Sequence, residues 1–176
     1  MRRLLLSLGV ALAGLSVVAV SGPASAQTGA GEVQRVLASG SEGFNLSTVD
    51  TLLARGDRDA AAGALPEAVK SYDKARNAAR SLLSFYRDLG GAFRGLDARI
   101  PRDMDQKGRE AIEKLSQANL RLAAVYRRQN QAEVAVPLLV EVVKLMTPAS
   151  ADGRKAYQQL LEIGFVSTPY TPTAAN

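Results

Sequence analysis

The chain has 176 residues, 47% hydrophobic but only 5% aromatic, with no Cys, His or Trp and a formal charge of +5. Without cysteine there is no disulfide framework, thiol nucleophile or thiolate metal site; without histidine the commonest general base and transition-metal ligand are gone. Setting aside Arg2 and Arg3 leaves 20 basic minus 17 acidic side chains, and this charge of +3 is too small to argue for nucleic acid.

Arg2 and Arg3 precede an apolar run from Leu4 to Val20, which Ser21-Gly22-Pro23 breaks before Ala24-Ser25-Ala26. Charged start, apolar middle and small-residue ending are the pattern of a secretory signal peptide over residues 1–26, with the mature chain starting at Gln27. The run is short for a membrane span, and no cysteine can carry a lipid. The expected destination is the periplasm, with secretion to the medium or a cyanobacterial thylakoid lumen as alternatives. Membrane contact is expected only through the signal peptide before cleavage.

Residues 27–45 are rich in Gly, Ser and Ala and read as a flexible leader, interrupted by Val33, Val36 and Leu37. Ser47, with Asp50 three residues on, offers a helix N-cap, and a first helix follows through Leu52 and Leu53 up to Gly63. Pro66 suits the first turn of a second helix, whose small and apolar residues recur at Ala68, Tyr72, Ala75, Ala79, Leu82, Leu83, Tyr86 and Phe93. A second stripe, Val69, Phe85, Leu89 and Leu96, predicts contacts on two sides. Gly90-Gly91 predicts a kink or break, because each glycine costs roughly 1 kcal/mol inside a helix.

Ile100-Pro101 is expected to end this segment, and Pro101, Asp103 and Asp105 to open a third helix running through Ala111, Leu115, Ala118, Leu122, Val125 and Tyr126. After Asn130-Gln131, the stretch Val134 to Met146 is apolar nearly all round and is expected to be the most buried helix, with Pro137 tolerated in its first turns. Ser150 and Asp152 start a last helix through Ala156, Tyr157, Leu160, Leu161 and Ile163, and Gly164 stops it. Residues 166–176 read as a disordered tail.

Leu122-Ala123, Tyr126, Asn130, Ala135, Leu139, Val142 and Pro148 stand in the order and near the spacing of the Leu-Gly, Tyr, Gly, Ala, Phe, Ala and Pro positions of a tetratricopeptide repeat. Gly56, Gly63, Leu65, Ala68, Tyr72 and Ala75 fit the same scheme, with Asp59 where an aromatic is usual. The chain thus resembles the tetratricopeptide-repeat family. Ala68 and Ala135, Tyr72 and Leu139, and Ala75 and Val142 are each 67 residues apart, about two repeat lengths, so the segment between would be a divergent middle repeat. The resemblance implies an all-α fold over residues 46–165, helical hairpins stacked as a short TPR-like right-handed solenoid. The alternative is an irregular helical bundle.

The chain has no phosphate loop, nucleophile elbow, metal-ligand spacing or dinucleotide fingerprint. Asp103, Asp105 and Glu110 form its densest acidic cluster, which reads as charge complementing a helix N-terminus rather than as acid–base machinery. No enzymatic activity and no cofactor are expected. The function expected is a protein–protein interaction scaffold binding a peptide or protein, of unknown identity, on a concave helical face. The resemblance implies that the inner surface comes from the first helix of each hairpin: Gln117, Leu120, Ala124, Arg127 and Arg128 in one, Asp50, Leu53 and Asp57 in the other, giving the groove ends of opposite sign. The alternative is an anion-binding protein using Arg76, Arg80, Arg87 and Arg94, which share one helix flank.

Overall fold

The computed structural model describes residues 44–171. The expected signal peptide, all but the end of the expected leader, and the last five residues lie outside them. The described residues are all-helical and contain no strand: α1 (Leu46–Ala61), α2 (Leu65–Ala92), α3 (Arg99–Arg128), α4 (Ala132–Met146) and α5 (Ala151–Glu162). Each helix packs on its neighbours in sequence, and α3 also touches α1 and α5.

The 67-residue offset is visible in the backbone. α1 ends at Ala61 and α3 at Arg128; α2 begins at Leu65 and α4 at Ala132. Both turns use a left-handed residue, Gly63 at φ 77° and Asn130 at φ 58°. In both, the last carbonyls are met by the same pair of backbone bonds: Ala64 N–H to Asp59 (2.9 Å) and Gly63 N–H to Ala60 (3.2 Å), Gln131 N–H to Tyr126 (2.9 Å) and Asn130 N–H to Arg127 (3.1 Å). Asparagine tolerates this conformation better than other residues with a Cβ, which is why it can replace the glycine.

The hairpins also solve one packing problem in two ways. In the first, α1 and α2 approach so closely at Gly56 that a methyl group there would overlap the Tyr72 ring. The residues 67 positions on are Ala123 and Leu139, both fully buried. A larger small residue accompanies a smaller large one.

No middle hairpin separates the two. The intervening sequence lengthens α2 to 28 residues and α3 to 30, and joins them by one turn. Gly90-Gly91 does not break α2, which runs on to Ala92. Gly90 is instead where α3 comes close: a Cβ there would lie 3.1 Å from that of Met104, so the helix tolerates the glycine because interhelical packing needs it.

Other local expectations shift for identifiable reasons. The cap of α1 is Asn45, whose Oδ1 accepts from the Thr48 N–H (2.7 Å) and from the Ser47 hydroxyl (2.6 Å), so Ser47 supports the cap rather than forming it. α3 begins at Arg99, two residues before Pro101, and the Asp97 carboxylate accepts from the Arg99 N–H at 2.7 Å. α3, not α4, is the central helix. Its backbone lies close to all four others, whereas the α4 backbone lies close to α3 and α5 only, meets α2 through the Glu141 side chain, and leaves Val134 and Pro137 exposed. Ser150 caps α5 as the sequence indicates, its Oγ accepting from Gly153 N–H at 3.0 Å.

Candidate partner-binding groove

α1, α3 and α5 stand in a row. Charge pairs fix the register of the first two: Lys114 with Asp50, Arg121 Nε with Asp57 Oδ1 (2.9 Å), and Arg128 Nη1 with the Ala60 carbonyl (3.2 Å) at the negative end of α1. Asp50 and Asp57 on α1, like Lys114 and Arg121 on α3, lie seven residues apart and rise together, so α1 and α3 are parallel and each step falls on one face of its helix. Beneath this ladder the Tyr72 hydroxyl donates to Asp57 Oδ1 at 2.6 Å. Burial, then the bond to Asp57, pushes the phenol well above its ordinary pKa and keeps it a donor.

The border between α3 and α5 is open. Gln117, Leu120, Arg121 and Ala124 on α3 face Asp152, Lys155 and Gln159 on α5 across a groove of about 480 Å³. Arg127 and Glu162 close one end at 2.9 Å. Neither Asp152 nor Lys155 has an ion-pair partner among the described residues. Gln159 is only 9% exposed, and its Oε1 accepts no hydrogen bond. A buried unpaired amide oxygen costs of order 1–3 kcal/mol.

The partner-facing residues expected from sequence therefore divide. Gln117, Leu120 and Ala124 come together as one wall of the groove. Arg127 closes its end, while Arg128, Asp50 and Asp57 are engaged in the α1–α3 ladder. Leu53 is 3% exposed, on the same buried stripe as Val49 and Gly56, and has no open face to offer. The basic and acidic sets do not polarise two ends of a groove: Asp50 and Asp57 are matched by Lys114 and Arg121, Arg127 by Glu162, and Arg128 bonds to the Ala60 carbonyl.

Sequence reasoning missed Arg121, Asp152, Lys155 and Gln159. A signal existed: Asp152 lies 35 residues after Gln117, and Gln159 the same distance after Ala124, close to one repeat length. No second helix follows α5 among the described residues, so it is not paired as a hairpin there.

The arginine flank of α2 also divides. Arg76 Nη2 donates to Glu141 Oε2 (3.1 Å), and Arg80 Nη2 to both carboxylate oxygens (2.7 and 3.0 Å). Fully buried Asn119 adds a bond from Nδ2 to Glu141 Oε2 at 3.1 Å. Burial works to raise the Glu141 pKa, but the two guanidiniums outweigh it and hold the carboxyl below its ordinary value. Arg76 and Arg80 thus find their anion inside the chain, joining α2 and α4, while Arg87 lies exposed further along α2 and Arg94 lies exposed in the turn that follows it.

Asp103 pairs with Lys107 at 2.8 Å and Glu110 accepts from Gln106 at 2.9 Å. Among the described residues no three carboxylates gather where they could hold a metal ion. No family model matches the chain, and no curated protein or solved structure is similar to it.

Proposed function

We propose that this chain is a non-enzymatic, exported interaction scaffold, a short TPR-like right-handed solenoid whose α3–α5 groove takes an extended segment of a peptide or protein. Its compartment is extracytoplasmic: the periplasm, with the medium or, in a cyanobacterium, the thylakoid lumen as alternatives. The observation that carries the reading is the open α3–α5 border, a groove lined by Gln117, Leu120 and Ala124 on one side and by Lys155 and Gln159 on the other, in which Lys155 is exposed and outside any ion pair among the described residues. Main-chain groups of an extended segment suit the polar side chains that line the groove, and the Leu120 and Ala124 wall offers apolar contact. The neighbouring α1–α3 border has its charges already matched.

Anion binding by the arginine flank has less support, since Arg76 and Arg80 are committed to Glu141. Selection from a phage-displayed random peptide library tests the scaffold reading. Peptides enriched on the wild-type protein are expected to lose binding to Leu120→Glu/Lys155→Glu and to keep it with Arg87→Ala/Arg94→Ala. The reverse pattern would overturn it.

A further inference from the structure

α2 and α3 are longer than the helices around them, and the excess forms a projection. Phe44, just before α1, packs against Phe85 with ring centroids 5.4 Å apart, marking where α1 stops covering α2. α4 extends only five residues past Glu141, which sits beside Asn119 of α3. Beyond these points the two long helices support each other through a narrow seam that includes buried Gly90 and Met104 and half-buried Tyr86. At the apex, Gly95 adopts φ 88° and turns the chain.

This apex is apolar and cationic at once. Leu96 is 81% exposed, and exposed Leu89 and Phe85 continue the apolar line down α2. Arg94, Arg99 and Arg102 flank Leu96 within six residues, all exposed. Arg99 pairs with Asp97 at 2.7 Å, which occupies the one carboxylate between Phe93 and Arg102, while Arg94 and Arg102 have no acidic partner among the described residues. Residues 93–102 therefore carry three positive charges and one negative.

An exposed apolar side chain flanked by cations suits an anionic surface with an apolar interior. We infer that the α2–α3 turn docks on an anionic lipid bilayer, Leu96 entering the boundary of the acyl chains while Arg94 and Arg102 reach headgroup phosphates. Side chains that combine an apolar wedge with arginines partition into this boundary, and each cation near an anionic leaflet contributes roughly fivefold. This contact is additional to the one expected of the signal peptide, and Leu96, expected from sequence to pack on a neighbour, is exposed instead. The groove begins at Gln117, 18 residues along α3 from Arg99, or about 27 Å of helix. Docking would hold the protein at a membrane with the groove free.

The absence of tryptophan makes the test site-specific. Leu96→Trp places one fluorophore at the apex, and Phe165→Trp places one at a 56% exposed position beyond the far end of α5. Each variant is titrated with vesicles of phosphatidylglycerol mixed with phosphatidylcholine, and with phosphatidylcholine alone. With anionic vesicles the apex reporter is expected to shift to the blue and to be quenched by brominated acyl chains, whereas the far reporter does neither. Phosphatidylcholine alone, or about 0.5 M salt, should weaken partition at least tenfold. Arg94→Glu/Arg102→Glu, added to Leu96→Trp, should do the same. No apex shift, equal shifts at both reporters, or equal partition into both vesicle types would overturn the inference. A blue shift that grows with protein concentration in the absence of lipid would overturn it in favour of a second copy of the chain.

Discussion

Helix α3 is bordered by α1 on one side and α5 on the other, in the same parallel sense, yet the two borders are built differently. Toward α1, residues spaced by seven meet opposite charges or a helix end: Lys114 with Asp50, Arg121 with Asp57, Arg128 with the Ala60 carbonyl. Toward α5 one pair closes the end, Arg127 with Glu162, and the rest of the border stays open around Gln159. The comparison teaches that a charged side chain on the expected inner face can equally be a rivet. Whether an opposite charge stands one helix away decides the matter, and that requires the neighbour's register.

If the α1–α3 border is structural, disrupting what lies beneath it should cost stability. Tyr72 is 2% exposed and spans the ladder and the core, so Tyr72→Ala is expected to lose about 4 kcal/mol in urea unfolding. A loss under about 1 kcal/mol would remove it from the core. Gly56→Ala forces a methyl group into that ring and should cost about 2 kcal/mol by the same measurement. Ala123→Gly, at the equivalent point of the second hairpin, should cost about half as much, through helix propensity and a small cavity.

Glu141 gives the same test a pH axis. Its carboxyl is held below the ordinary value of 4.5, so the native state favours the charged form, and the stability this gives is present above that value and lost as pH falls through the folded pKa. Glu141→Gln should therefore be less stable than wild type at neutral pH, by about 2 kcal/mol because the site is only partly buried, and the two should converge in acid. Parallel curves across pH would remove the Arg76–Glu141–Arg80 clamp from the account. Smaller still, Arg121→Asp should cost about 1 kcal/mol, and Asp57→Arg in the same chain should recover part of it, a coupling that high salt weakens.

The sequence made the helices legible because periodicity and punctuation are local. Gly63, Ser150 and Gly164 mark ends where the chain needs a left-handed residue or a cap, and the 67-residue spacing survives in the backbone. Quantities that depend on a neighbour were not legible. Gly90 looked like a breaker because Met104 could not be seen opposite it, and Val134 to Met146 looked central because apolar content does not reveal how many neighbours a helix has. Half of the groove was readable on α3, at Gln117, Leu120 and Ala124. The other half sits on α5, whose place in the row follows from packing.

The central claim is that the open border binds and the riveted one supports, and Gln159→Leu tests it most directly. Removing a buried oxygen that has no partner should leave urea stability unchanged or raise it by up to about 1 kcal/mol, while affinity for the library-selected peptides falls at least tenfold. A variant that loses stability and keeps its affinity would contradict the account, because Gln159 would then be part of the fold and not of the groove.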